Sequence, residues 1–177
     1  ELMPFHALDL YAAARRLEAK GRTICHLEAG EPAAPPAPKV IEAIRASADK
    51  PHRYTLSAGM PELREALAAY YRDQHGVAVD PAAIMVTMGS SAAFILAFLA
   101  ALPRDGVIAV TRPGYPAYLN TPSGLGLRTV EIPLSADSGW RLSARDVEAA
   151  HRRTPFDALL FASPANPTGA ALTREGL

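Results

Sequence analysis

Asp157-Ala158-Leu159-Leu160-Phe161-Ala162-Ser163-Pro164-Ala165-Asn166-Pro167-Thr168-Gly169 is the stretch around which the rest of the chain is read. Asp157 to Ala162 is apolar after its first residue and of strand length, so it predicts a short buried strand. The chain then turns hard. Each proline fixes its own φ and biases the residue before it away from helix, so Pro164 and Pro167 hold Asn166 in a narrow backbone range. The Asn166 carboxamide, both donor and acceptor, thereby stands at the carboxyl end of a strand, where open α/β sheets bind ligands. An ordinary strand-to-helix turn uses the same residue types, and this stretch alone does not separate the two readings.

Upstream, strand and helix patterns alternate. Ile84 to Thr87, Val107 to Thr111 and Leu127 to Ile132 predict strands. Ala92 to Leu102 is apolar on every side and predicts a buried helix. Ser143 with Asp146 three residues on predicts a capped helix start, and Thr173 another. This alternation argues for an α/β layer fold with a mostly parallel sheet. Toward the amino terminus, Leu10, Ala13, Ala14 and Leu17 recur at helical spacing, and Gly21 ends that helix. Ile24 to Leu27 predicts a short strand. A proline-dense strap through Pro35, Pro36 and Pro38 precedes a helix over 39–48. Pro61 opens a helix on which Leu63, Ala66, Leu67, Tyr70 and Tyr71 share a face, and Gly76 closes it.

Eighteen basic residues balance eighteen acidic ones, so charge favours neither a nucleic acid nor an anionic membrane surface. No apolar run has the length of a membrane span and no leader opens the chain, which gives the expectation of a cytoplasmic protein. The single cysteine, Cys25, excludes an intrachain disulfide and is expected to be a small buried apolar residue. His6, His26, His52, His75 and His151 are scattered without metal-site spacing, so no metal is expected. Packed or solvated histidines are the default. The chain begins without Met and stops where a helix is expected to start, which gives the expectation of a fragment.

Two further stretches carry chemistry. Gly89-Ser90-Ser91 lies between a strand and a helix amino terminus, where free N–H groups and the helix dipole favour an anion. A plain N-cap serine reads the same way. No Walker-type Gly-Lys-Ser/Thr and no G-x-G-x-x-G is present, and Gly89-Ser90 lacks the flanks of a nucleophile elbow. Pro113-Gly114-Tyr115-Pro116 follows a strand and offers an aromatic platform for a flat ligand, or a packed loop tyrosine.

The order Gly30-Glu31-Pro32, Tyr54 through Gly59 with Pro61-Glu62-Leu63-Arg64, Gly89-Ser90-Ser91, Pro113-Gly114-Tyr115-Pro116 and Asn166-Pro167-Thr168-Gly169 resembles the first half of a class I/II aminotransferase, from about Pro4 to Leu177. These are fold-type I enzymes that use pyridoxal 5'-phosphate. The resemblance implies a three-layer α/β/α fold. Residues 1–51 would form an arm and a small-domain segment, and residues 52–177 the first half of the cofactor-binding large domain. It implies that Gly89, Ser90 and Ser91 cradle the phosphate, that Tyr115 stacks on the pyridine ring, and that Asn166 hydrogen-bonds the phenolic oxygen. Tyr54 would reach the phosphate held by a neighbouring subunit, making a homodimer part of the site, and Gly30 would lie where the substrate carboxylate approaches. The bonds before Pro113 and Pro167 are expected to be cis.

The family's Schiff-base lysine, its pyridinium-pairing aspartate and its carboxylate-binding arginine match no residue of this chain; Lys20, Lys39 and Lys50 precede the sheet and fit no catalytic motif. The resemblance therefore implies a parent enzyme that moves an amino group from an amino acid to a 2-oxo acid, and a 177-residue chain without turnover. An unpaired sheet edge would make that chain oligomeric or poorly stable. The same scaffold serves C–S lyases and related enzymes, and also sensor domains of transcriptional regulators, although nothing here resembles a DNA-binding module.

Overall fold

The computed structural model describes residues 6–30, 32–51 and 53–176. Glu31 of the Gly30-Glu31-Pro32 motif and His52 lie outside the described residues. The described chain divides into two compact units, with the boundary along the sequence between Val86 and Thr87.

The amino-terminal unit is helical. α1 (His6–Glu18) is followed by extended chain, α2 (Pro38–Ala48) and α3 (Pro61–His75). Pro at the first turn opens both α2 and α3, where its missing N–H costs least. α3 ends as its sequence demands: Gly76 takes the left-handed conformation at φ 66° and its N–H donates to the carbonyls of Tyr71 and Arg72. Asp80 caps a single 3-10 turn over Pro81–Ala83 by accepting from the Ala82 N–H. The Arg64 guanidinium on α3 donates to the Pro81 carbonyl at 2.9 Å and ties that turn to the helix.

Two expected strands of this unit do not form. Residues 24–27 and 84–87 have no ladder partner among the described residues, save one bond from the Val86 N–H to the Ala58 carbonyl. A strand is defined by its neighbour, and local pattern cannot supply one. Cys25 is exposed rather than buried, for the same reason: its segment is not covered by a sheet.

The carboxyl-terminal unit holds the sheet. α4 (Gly89–Ala101) leads through a turn at Gly106 into β1 (Val107–Arg112), then α5 (Ala117–Gly124), β2 (Arg128–Pro133), α6 (Ala144–Arg153) and β3 (Ala158–Leu160). The strands run parallel in the order β2-β1-β3, with Ile108 opposite Thr129 on one side and Ala158 on the other. Strand alternation sorts the core into two layers. Ile108 and Val110 face Phe94 and Phe98 of α4 and Tyr118 and Leu119 of α5. Ala109 and Ile132 face Val147 and Ala150 of α6. Helices thus cover both faces of a parallel sheet, as the three-layer α/β/α expectation requires.

Two details depart from expectation. α4 was expected to be buried all round, yet only its Phe94, Phe98 and Leu102 side meets the sheet; Ile95, Leu96 and Leu99 are 41%, 47% and 64% exposed. A helix laid on a sheet has one face against it, and no described residue covers the other. α5 is a helix for which no expectation stood, and Pro122 lies inside it. Pro122 is fully buried, and packing of Tyr118, Leu119 and Leu125 on the sheet outweighs the lost backbone bond. No described helix is long and apolar enough to cross a membrane.

Candidate functional site

Parallel strands place all their carboxyl ends at one edge, and the loops that leave that edge carry the candidate residues. The loop after β1 runs through Pro113, Gly114 and Tyr115; the loop after β3, its hydrogen-bonded neighbour, runs through Asn166. α4 enters β1 through a tight turn and lies back along the sheet, so its amino terminus returns to the same edge. Aromatic contacts join two of the three pieces. Tyr115 meets Tyr118 edge-on at 5.6 Å between ring centroids, and Tyr118 meets Phe94 of α4 in the same way at 5.6 Å. Phe94 stacks on Phe98, which reaches the core. The two aromatic anchors, Phe94 and Tyr118, are residues that motif reading passes over. Their only signal in the sequence is spacing, four residues before Phe98 and three after Tyr115.

The amino terminus of α4 suits an anion. Gly89 opens the helix at φ +71°, a left-handed backbone that most side chains resist. A Cβ there would meet nothing within 4 Å, so the space in front of the turn is open. Met88 gives no side-chain cap, and the Thr87 hydroxyl donates to the Gly89 carbonyl at 2.9 Å instead of reaching a helix N–H. Ser90 and Ser91 are exposed in the first turn. The first N–H groups of a helix have no partner within the helix, so donors and dipole both point at open space.

The loop after β3 is braced by itself. The Ala165 N–H donates to the Ala170 carbonyl at 2.8 Å, the Gly169 N–H to the Ala165 carbonyl at 2.7 Å, and the Leu172 N–H to the Ser163 hydroxyl at 3.0 Å. Asn166 lies within this closed turn with its residue exposed. The bonds Arg112-Pro113 and Asn166-Pro167 are cis, as expected, and Ser163-Pro164 is cis as well.

Gly30 and Tyr54 belong to the other unit. Gly30 is exposed, with nothing within 4 Å of where a Cβ would stand, and Tyr54 is wholly exposed among Arg53, Leu56 and Met60.

Residues 22–177 match the model of the aminotransferase class I and II family. The chain belongs to the class I and II aminotransferases. It is 38% identical over 176 residues to a valine–pyruvate aminotransferase of Mycobacterium tuberculosis, covering 98% of this chain and 45% of that one. It is 36% identical to an aspartate aminotransferase of Streptomyces avermitilis, over 95% of this chain and 41% of that one. Among solved structures, an aminotransferase from Mycobacterium tuberculosis superposes with a TM-score of 0.92 at 36% identity, over 99% of this chain and 45% of that one. The Thermus thermophilus aspartate aminotransferase with maleate gives a TM-score of 0.90 at 33% identity, over 98% of this chain and 46% of that one. The chain thus spans less than half the length of these class I and II relatives. Membership of this family implies dependence on pyridoxal phosphate.

The residues present fit two ends of that cofactor. The open, uncapped turn at Gly89 offers N–H donors and hydroxyls to a phosphate, and the Tyr115 ring is held by its own edge contact with Tyr118. The lysines of the chain, Lys20, Lys39 and Lys50, all precede the sheet unit in sequence.

Proposed function

We propose that this chain builds the phosphate-holding and ring-holding part of a pyridoxal-phosphate-dependent aminotransferase that moves an amino group between an amino acid and a 2-oxo acid. The observation that carries the reading is the uncapped helix start at Gly89, set at the same sheet edge as Tyr115 and Asn166. Backbone N–H groups of the α4 first turn, with the Ser90 and Ser91 hydroxyls, would hold the phosphate dianion against the positive end of the helix dipole. Tyr115 would lie against the ring. Asn166 would donate its carboxamide N–H to the phenolic oxygen and favour its ionised form. When bound, the cofactor supplies an electron-withdrawing ring that stabilises negative charge at the amino acid α-carbon. Gly30 would admit the substrate carboxylate close to the backbone, and Tyr54 would serve the phosphate of a second subunit in a homodimer. No lysine of the 177 residues matches the Schiff-base position, so the isolated chain is expected to bind without turning over.

A pair of titrations tests this. Pyridoxal 5'-phosphate should bind the chain more tightly than pyridoxal, which lacks the phosphate, and Ser91→Asp should abolish the difference by setting a second anion at the helix start. Equal affinity for the two compounds in the unmutated chain would overturn the phosphate assignment. Measurable amino-group transfer by the isolated chain would overturn the expectation that it is inactive.

A further inference from the structure

The amino-terminal unit contains a cluster that the aminotransferase reading does not use. His26 stands between two carboxylates: its Nε2 is 2.8 Å from Glu18 Oε1 and its Nδ1 is 2.6 Å from Glu28 Oε1. Glu18 is the last residue of α1, and Glu28 lies two residues before Gly30 in the extended chain that follows. Glu28 is largely shielded, its side chain 10% exposed; His26 and Glu18 are 34% and 28% exposed. Two other groups face the cluster. The Arg15 guanidinium donates to the second oxygen of Glu18 at 2.9 Å, and the Tyr11 ring lies 5.8 Å from the imidazole.

Donor counting decides what this arrangement requires. A neutral imidazole has one N–H and one lone pair, so it can donate to only one of two ionised carboxylates. The other carboxylate would then face a lone pair at hydrogen-bond distance. With both carboxyls ionised, both contacts are satisfied together only when both ring nitrogens carry protons, and the imidazolium then makes two charge-assisted hydrogen bonds.

We propose that His26, doubly protonated and bonded to Glu18 and Glu28, is a positioning residue that latches the Leu27–Gly30 segment to the carboxyl end of α1, so that the Gly30 backbone is held in place only while both ring protons are present. Its bearing on substrate binding rests on the reading of Gly30 given above; the latch itself does not.

The sign of the pH dependence follows from the same groups. Glu28 first and Glu18 second hold the imidazole above its ordinary 6.5, and His26 holds both carboxyls below their ordinary 4.5. The His26 contribution is complete below 6.5 and is lost as pH rises through the raised folded value. The carboxylate contributions are complete above 4.5 and are lost as pH falls through the lowered folded values. The latch is therefore strongest between those two limits and opens on the alkaline side by loss of one proton from His26.

Nitrogen-15 NMR of the 177-residue chain tests it without cofactor or amino acid. The His26 ring nitrogens should titrate above the free imidazole value, and the Gly30 amide signal should move along the same curve. Glu28→Gln supplies a carboxamide N–H that can donate to the imidazole lone pair, so neutral His26 keeps both partners. In that variant the Gly30 amide should lose its alkaline titration. His26→Gln should show the displaced Gly30 signal at every pH. A Gly30 amide that does not follow His26 in the unmutated chain, or that titrates unchanged in Glu28→Gln, would overturn the latch. Because no ligand is present, a failure of the substrate reading at Gly30 would leave these signals as expected and would show only in binding.

Discussion

Replacing Gly114 by Ala tests how tightly the Tyr115 loop is docked onto the sheet. The φ of Gly114 lies outside the left-handed range, so the substitution probes space alone. A Cβ there would stand 2.5 Å from the Thr111 carbonyl oxygen, where ordinary contact begins at 3.4 Å, so something must move by about 0.9 Å. Thr111 cannot yield easily. It is 6% exposed and sits in β1 opposite Ile132, and the next residue's carbonyl accepts from the Leu134 N–H at 2.7 Å. The loop must give way instead, carrying Tyr115 from its 5.6 Å contact with Tyr118. Crowding of this kind costs about 1–3 kcal/mol. At about 2–4 °C per kcal/mol for a chain of this size, the midpoint of thermal unfolding should fall by roughly 2–12 °C. Circular dichroism melts of the two proteins, paired with pyridoxal 5'-phosphate titrations, give both readouts. An unchanged midpoint with unchanged affinity would refute the claim that the loop is held against the end of β1.

Three other substitutions probe separate parts of the account. Gly89→Ala is the complement of Gly114→Ala, since a Cβ meets nothing but the backbone sits at φ +71°; it should cost about 1–2 kcal/mol in denaturant unfolding and weaken phosphate binding by disturbing the helix start. Ser143→Ala removes a capping box in which the Ser143 hydroxyl accepts from the Asp146 N–H while the Asp146 carboxylate accepts from the Ser143 N–H. A loss of about 0.5–2 kcal/mol with no change in cofactor affinity is expected. Ile108→Ala empties the centre of the layer between the sheet and α4, where Ile108 is 1% exposed. About 2–5 kcal/mol should be lost, read as a shift in the denaturant midpoint.

Much of the sheet unit could be read from local pattern, because its signals are local. The apolar run at Val107 marked β1, and Ser143 with Asp146 marked the start of α6. In the amino-terminal unit Gly76 likewise marked the end of α3, where it takes the left-handed φ that glycine allows. What pattern could not supply was partnership. Residues 84–87 have strand composition but no ladder, Cys25 has core chemistry but no cover, and α4 has two apolar faces of which one is packed. α5 was hidden by Pro122, whose burial depends on a sheet that no window of sequence contains. The candidate site divides in the same way. Residue types at Gly89, Tyr115 and Asn166 pointed to anion and ring chemistry. Their common edge follows from the parallel order of β1 and β3, and the Phe94 and Tyr118 anchors follow from packing across elements. His26 is the clearest case of long-range information: its second carboxylate, Glu18, is on a different element.

The central claim is that loops distant along the chain form one site for a phosphorylated pyridine. A pyridoxal 5'-phosphate titration followed by the backbone amide signals of Ser90, Ser91, Tyr115 and Asn166 tests it most directly. The account predicts that all four move together along one binding curve, while signals of α6 on the opposite face of the sheet stay still. Movement of the Ser90 and Ser91 signals alone, with Tyr115 and Asn166 unchanged at saturation, would contradict it.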